Sequence, residues 1–180
     1  AIGTSPKDII RAKKLLDSGV DLIVIDTAHG HSEKVINTLS KIIKVSYNIP
    51  ICVGNIATAE AAKKLYNSGA DIIKVGIGPG SICTTRMVAG IGVPQITAVM
   101  NVYKVLKGKS IKIISDGGIK FSGDIAKAIA AGADAIMMGS IFAGTDESPG
   151  KKFKINNKLY KKYRGMGSIG AMSAGSSDRY

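Results

Sequence analysis

Residues 68–76 are Ser68-Gly-Ala-Asp-Ile-Ile-Lys-Val-Gly76, and closely similar stretches stand at 18–26 and 131–139. In each stretch a glycine and a short turn separate a helix-like segment from an apolar run. A glycine at that position is typical of a helix C-terminus, and the apolar run is typical of a buried strand. Each copy therefore predicts that a helix ends and a strand begins within a few residues.

The segments between these stretches complete an alternation of strands and helices. Two further apolar runs, at 49–53 and 111–115, are predicted strands, and amphipathic segments lie between the strands. Ser5-Pro6, Thr58 and Ser122 are candidate helix N-termini. Alternation of this kind favours a parallel sheet, and strands that are apolar throughout are expected where both faces are covered.

The length of the chain limits how many strand–helix units it can contain. Five strand–helix units are visible, and Ala1-Ile2-Gly3 is typical of the end of another strand. A (β/α)8 TIM barrel takes about 250 residues, whereas this chain has 180. We therefore predict an α/β fold, a partial (β/α)8 barrel that lacks N- and C-terminal elements. The alternative is a doubly wound open sheet.

The composition narrows the classes of protein to consider. The net charge is +12, with 25 Lys and Arg against 13 Asp and Glu. No apolar run approaches the roughly 20 residues of a membrane span, and no leader indicates export. Two cysteines fit a reducing cytoplasm better than a disulfide scaffold. The most basic stretch, 151–164, carries aromatic residues, so RNA binding stays open, although a solvated surface hairpin explains it better.

Polar or glycine-rich turns follow every predicted strand, at 26–30, 54–55, 76–85, 116–118 and 139–140. In a barrel the C-terminal ends of all strands lie on one rim, where active sites are found. The turn that carries most chemistry is Gly76-Ile-Gly-Pro-Gly-Ser-Ile-Cys-Thr-Thr-Arg86. Its glycines allow backbone N–H groups to converge on an anion, and those dipoles favour Cys83 as a thiolate nucleophile.

Two other turns suit parts of a nucleotide. Asp116, followed by two glycines, suits the hydroxyls of a ribose, and Gly139-Ser140 suits a phosphate held by backbone N–H groups. An ordinary Asp-Gly turn and a helix N-cap are the structural alternatives. His29 and His31 have no third ligand nearby in the sequence, so a zinc site is not indicated. Cys52 lies in a predicted strand and is expected to be inert core.

With these motifs in view, the chain resembles the IMP dehydrogenase / GMP reductase family over its whole length. The form of residues 163–167 and the Arg-Tyr pair at 179–180 favour a dehydrogenase, with GMP reductase as the alternative. The motifs that carry the resemblance are Asp26-Thr-Ala-His-Gly30, Gly54-Asn55, Gly76 to Arg86, Asp116-Gly-Gly-Ile119, Met138-Gly-Ser140, Tyr163-Arg-Gly-Met-Gly-Ser168 and Asp178-Arg-Tyr180.

The resemblance implies NAD-dependent oxidation of IMP to XMP, the committed step of guanine nucleotide synthesis. Cys83 would attack C2 of the purine, and hydride would leave to NAD. Hydrolysis of the covalent thioimidate would follow, with Arg179 as the base and with Tyr180 and Thr85 as helpers. Arginine is normally too basic for that role, so its deprotonation requires a special environment.

The resemblance also implies binding sites and an assembly. NAD would contact Asp26, Asn55, Gly76, Ile77 and Gly78. Carbonyls of Gly78, Gly80 and Cys83 would hold a potassium ion. Residues 1–180 would form one catalytic barrel domain, with 145–180 running into a mobile flap. The protein would be a cytoplasmic homotetramer, with neither a membrane nor nucleic acid as its main partner. The IMP site would comprise Ser81, Asp116, Gly117, Gly118, Gly139, Ser140, Tyr163, Arg164, Gly165, Met166 and Gly167.

Overall fold

The computed structural model describes residues 1–46 and 48–176. They form a five-stranded parallel sheet with helices, followed by a two-stranded antiparallel hairpin. Within these residues, no helix combines the length and the apolar character needed to cross a bilayer. In chain order the elements are α1 (Pro6–Asp17), β1 (Ile23–Asp26), α2 (Glu33–Ile43), β2 (Ile51–Ile56), α3 (Ala59–Asn67), β3 (Ile72–Val75), α4 (Thr85–Val88), α5 (Gln95–Leu106), β4 (Lys112–Asp116), α6 (Ser122–Ala130), β5 (Ala135–Met137), β6 (Lys152–Ile155), β7 (Lys158–Lys161), α7 (Ile169–Ala171) and a helical turn, Met172–Ser176.

The strands of the large sheet lie side by side in sequence order, from β1 to β5, and all pairs are parallel. Ile2 joins β1 through a parallel bridge to Ile25, and its amide donates to the Val24 carbonyl over 2.8 Å. The predicted strand end at 1–3 is therefore confirmed. A doubly wound sheet reverses its strand order at a switch point. The uninterrupted order contradicts that alternative and agrees with part of a (β/α)8 barrel.

The two faces of the sheet have different surroundings. One face buries apolar side chains under the helices, and Ile25, Val53 and Ile73 on it are fully buried. The other face carries Asp26 and Lys74 in one register row, and its positions in β4 and β5 are partly or fully exposed. In a barrel this second face lines the interior.

The three repeated stretches end α1, α3 and α6 in the same way. Gly19, Gly69 and Gly132 have positive φ angles of 77°, 94° and 111°. After each glycine, the next amide donates to the carbonyl five residues earlier, which is the Schellman arrangement. Glycine takes such angles without steric strain, so these helix ends follow directly from the sequence.

In the copies at 68–76 and 131–139, an aspartate two residues after the glycine then starts the sheet pairing. The carboxylate of Asp71 accepts the Ile51 amide over 2.8 Å, and the carboxylate of Asp134 accepts the Ile113 amide over 2.9 Å. The backbone amides of both aspartates donate back to the same two residues. In these two copies, the repeat ends a helix and also sets the register of the strand that follows.

Two of the three predicted helix N-termini are confirmed, and the prediction that Ser122 is an N-cap is wrong. Ser5 precedes α1, and the Thr58 hydroxyl accepts the Ala61 amide over 3.2 Å. At α6, the Asp124 carboxylate accepts the amides of Lys120 and Phe121, each over 3.0 Å. Because Asp124 satisfies these donors from inside the helix, Phe121 takes the N-cap position and Ser122 becomes the first helical residue.

Candidate active site

A buried lysine, Lys74, organises the inner face of the sheet. It lies in β3 with 3% of its surface exposed, and its Nζ lies 3.0 Å from Asp26 Oδ1 and 2.7 Å from Asp116 Oδ2. Burial by itself would lower the pKa of Lys74, but the carboxylates of Asp116 and Asp26 outweigh it and raise that pKa. A charged ammonium therefore holds together carboxylates from the ends of β1 and β4.

Asn55 extends this network to the glycine turn after β3. Its Nδ2 donates to Asp116 Oδ2 and to the Gly76 carbonyl, over 2.9 Å in both cases. Among the described residues, the buried Oδ1 of Asn55 finds no hydrogen-bond donor. A buried acceptor in this state suits a hydroxyl supplied by a ligand. The structure thus brings residues predicted for NAD, Asp26, Asn55 and Gly76, against Asp116, which was predicted for IMP.

The loop that carries Cys83 is anchored by Arg86. Arg86 Nε donates to the Ile77 carbonyl over 3.0 Å, and its Nη2 donates to the Val93 carbonyl over 2.6 Å. The arginine passes so close to Gly78 that a Cβ there would lie 2.9 Å from it. This packing explains why the turn needs a glycine at 78, where φ is +69°.

Cys83 lies exposed on this anchored loop. Its thiol donates to the hydroxyl of Thr85, the first residue of α4, over 3.2 Å. Thr85, predicted as a helper in hydrolysis, therefore lies beside the sulfur of Cys83. Cys52 is the opposite case, because it is fully buried in β2 and burial raises the pKa of its thiol to about 12. Its predicted place in the core is confirmed.

Residues from four separate turns line one cleft. Lys120 adds a cation that the sequence analysis did not predict. The cleft has a volume of about 30 Å³, enough for one or two water molecules, so a nucleotide would have to move its walls apart. The predicted residues that line it are Ser81, Gly117, Gly118, Gly139, Ser140 and Tyr163, and beside them stand Pro79, Gly80, Ile119, Lys120 and Met138.

The segment after β7 returns to this cleft. The Tyr163 hydroxyl lies so close to Gly139 that a Cβ there would come within 2.2 Å of it. Gly165 approaches Ile82 of the cysteine loop, with 3.0 Å between a Cβ at 165 and the isoleucine Cδ1. Arg164, Met166 and Gly167, also predicted for IMP, are exposed in the same segment. Arg179 and Tyr180 lie outside the described residues.

The predicted site residues do not include three that hold the site in place, Lys74, Arg86 and Gln95. Gln95 Nε2 donates to the Val75 carbonyl over 2.8 Å and to Ser115 Oγ over 3.0 Å, which ties α5 to the ends of β3 and β4. A lysine within an otherwise apolar strand was an available signal, because a buried charge needs counter-charges. No local pattern marks the other two.

Among the described residues, carboxylate, thiol and imidazole groups do not assemble into a metal site. In the part of the chain that the structure describes, no three His, Cys, Asp or Glu residues lie close enough to hold a metal ion. His29 and His31 contact each other, with ring centroids 6.4 Å apart. Backbone carbonyls are a separate ligand class. The Gly80 carbonyl accepts the Cys83 amide over 3.0 Å, which leaves it a second lone pair for a hard cation.

Known proteins match the chain over its whole length. A sequence model of the IMP dehydrogenase / GMP reductase domain matches residues 1–180. Proteins named inosine-5′-monophosphate dehydrogenase from Rhizobium tropici, Staphylococcus epidermidis and Staphylococcus aureus are 55%, 58% and 59% identical to it over 180 residues. The chain spans 36–37% of the length of these curated relatives. The chain therefore belongs to the IMP dehydrogenase / GMP reductase domain family.

Proposed function

We propose that this protein is an NAD-dependent IMP dehydrogenase, which oxidises IMP to XMP in the committed step of guanine nucleotide synthesis. The observation that carries the proposal is the assembly at one edge of the sheet. An accessible Cys83, a glycine-lined cleft and two carboxylates held by Lys74 lie at the ends of neighbouring strands. The relatives that carry the dehydrogenase name support this reaction over the reductase reaction.

Cys83 is the proposed nucleophile because its thiol is exposed and its loop is anchored. The sulfur adds to C2 of the purine, and the hydride leaves that carbon. NAD, when bound, supplies the acceptor for the hydride. Water then attacks the resulting thioimidate and the cysteine departs as a thiolate, which is a good leaving group. Thr85, 3.2 Å from the sulfur, assists the water, with Arg179 and Tyr180 as the proposed base and its helper.

The binding roles follow from the chemistry of each group. Hydroxyls of Ser81 and Ser140, with N–H groups of the glycine turns and the cation of Lys120, suit the phosphate of IMP. Asp116 accepts hydrogen bonds from the IMP ribose, and Asp26 accepts them from a ribose of NAD. The remaining proposed IMP contacts are Gly117, Gly118, Gly139, Tyr163, Arg164, Gly165, Met166 and Gly167, and the remaining NAD contacts are Asn55, Gly76, Ile77 and Gly78.

The surroundings of the site complete the proposal. Carbonyls of Gly78, Gly80 and Cys83 would hold potassium, since hard oxygen donors on a tight turn suit such a cation. Residues 1–180 belong to one catalytic barrel domain, with 145–180 running into a mobile flap. The assembly is a cytoplasmic homotetramer.

The test is turnover by the full-length protein with IMP and NAD, followed at the NADH absorbance band. Cys83→Ala should abolish NADH formation while IMP still binds, because the phosphate and ribose contacts remain. Cys52→Ala is the matched control, since it removes a buried thiol with a raised pKa, and it should retain activity. NADH formation by Cys83→Ala near the wild-type rate would contradict the nucleophile. NADPH-dependent deamination of GMP by the wild type would assign the reductase reaction instead.

A further inference from the structure

The most basic stretch of the chain is not a uniformly solvated surface. In β7, Lys161 is partly buried, and its Nζ donates to the carbonyls of Thr145 and Ser148, the latter over 2.6 Å. The Asp146 carbonyl lies 3.4 Å from the same nitrogen. An ammonium has three N–H donors, so these three carbonyls can engage all of them. The turn 145–148 therefore wraps around a single lysine.

A second lysine contacts the same turn from the neighbouring strand. Lys152 in β6 is directly opposite Lys161, and its Nζ lies 2.5 Å from Asp146 Oδ1. The Asp146 side chain is 86% exposed, so this ion pair is screened by water and contributes little. The contact that Lys161 makes with the turn is the stronger of the two, because Lys161 is less exposed and donates to backbone carbonyls.

The turn lies on the path between two walls of the proposed IMP cleft. The chain leaves the cleft at Ser140 and returns to it at Tyr163, two residues after Lys161. Gly139, Phe142, Ala143, Thr145, Glu147, Ser148 and Tyr163 line an adjoining open cleft. Lys161 thus joins the outgoing and returning ends of the loop 140–163 just before the Tyr163 hydroxyl meets Gly139.

We propose that Lys161 is a positioning residue, which closes the loop 140–163 through the carbonyls of the 145–148 turn and so places Tyr163 against Gly139. The nature of the ligand in this cleft rests on the proposed function, whereas the closure of the loop does not. Without the ammonium, three carbonyls turn toward water and the two ends of the loop separate. Tyr163 then spends less time at the wall of the cleft.

The experiment compares Lys161→Met with Lys162→Met in the full-length protein. Methionine keeps the aliphatic length and removes the donors, and Lys162 is the exposed neighbour in sequence. Hydrogen exchange is measured on peptides covering 141–150 and 163–168. The Ser148 amide donates to the Thr145 carbonyl, and the Thr145 amide donates to the Phe142 carbonyl just before the turn. Exchange of both amides should be at least tenfold faster in Lys161→Met and unchanged in Lys162→Met. Lys161→Arg should restore part of the protection, because it can donate to the same carbonyls.

Binding of IMP is measured on the same proteins by titration calorimetry, and KM is measured alongside. Lys161→Met should weaken IMP binding about tenfold, with a larger change in KM than in kcat. Equal exchange in the two methionine variants would overturn the proposal. Faster exchange in 141–150 with unchanged exchange in 163–168 and unchanged IMP affinity would also overturn it, since Lys161 would then stabilise only the turn. If the wild type binds no IMP, the proposed function fails, and exchange in 163–168 decides the positioning role.

Discussion

Replacement of Lys74 by methionine would remove the cation that lies between two carboxylates, at the ends of β1 and β4. Lys74 is almost fully buried, and the side chains of Asp26 and Asp116 are only 14% and 22% exposed. The Lys74→Met side chain can fill the same space but cannot donate to either carboxylate. We therefore expect a large loss of folding stability from one substitution in a strand interior.

The magnitude follows from the two ion-pair distances. The Lys74 Nζ lies 3.0 Å from one carboxylate oxygen and 2.7 Å from the other, so the two oxygens cannot be farther apart than the sum of these distances. At the longest separation that these distances allow, two like charges repel by about 3 kcal/mol at an effective dielectric constant of about 20, and at any shorter separation they repel more strongly. Loss of one partner of a buried ion pair costs about 3–5 kcal/mol. We expect the free energy of unfolding to fall by about 3 kcal/mol, since both carboxylates retain some water.

Urea unfolding of the wild type and of Lys74→Met at pH 7.5 measures this difference. The matched control is Lys112→Met, which removes an exposed ion pair to Asp134 with a 2.9 Å separation and should cost less than about 1 kcal/mol. Lys74→Met combined with Asp116→Asn should recover part of the loss, because it removes one of the two repelling charges. If the Lys74 and Lys112 variants lose equal stability, the buried network does not stabilise the fold as argued.

The pH dependence has a definite sign. The folded state raises the pKa of Lys74, so its contribution is fully present below the ordinary lysine pKa of about 10.4 and is lost as pH rises through the raised value. The stability gap between wild type and Lys74→Met should therefore stay constant from about pH 7 to 9 and close only in strong alkali. A gap that closes below pH 9 would show that burial outweighs the two carboxylates.

Three further predictions address the rest of the site. Iodoacetamide at pH 8 should alkylate the exposed Cys83 and spare the buried Cys52, whose thiol has a pKa of about 12. Peptide mass spectrometry identifies the alkylated cysteine, and alkylation of Cys52 in preference to Cys83 would contradict this prediction. Gly139→Ala should weaken IMP binding at least tenfold, because the Tyr163 hydroxyl, 2.2 Å from a Cβ at 139, would have to leave the wall of the cleft. Calorimetry showing unchanged affinity would contradict the proposed cleft. Arg179→Ala should rapidly release about one equivalent of NADH per active site and then turn over about 10²–10⁴-fold more slowly than the wild type. Mass spectrometry of the intact protein should show a nucleotide adduct on Cys83. Absence of both the burst and the adduct would exclude Arg179 as the hydrolytic base.

Much of the fold could be predicted because its signals are local. A glycine such as Gly69 ends a helix through its own positive φ, and the short apolar run at the start of β2, 51–53, is typical of a buried strand. The order of strand and helix then limits the sheet to parallel pairing. The error at Ser122 also comes from the use of local signals. The carboxylate of Asp124, two residues further along, competes for the backbone amides at the start of the helix, and residue preferences alone do not decide between Ser122 and Asp124.

The candidate site was predictable as a set of residues at strand ends, but not as a network. The C-terminal ends of parallel strands meet on one edge, so Asp26, Cys83 and Asp116 could be grouped from sequence order. The neighbours that hold them could not. Gln95 lies 20 residues from both Val75 and Ser115, and only the packing of α5 onto β3 and β4 brings its amide to them.

The sequence by itself determined the order of the helices and strands, the glycine-capped ends of three helices, and which reactive groups follow the strands, because these depend on backbone preferences and on hydrophobic period. The tertiary structure alone decided which charges meet. Lys74 reaches partners 48 and 42 residues away along the chain, and Lys161 reaches a turn 13–16 residues before it. Such contacts depend on the distance between side chains across strands and loops, which neither residue type nor local spacing specifies.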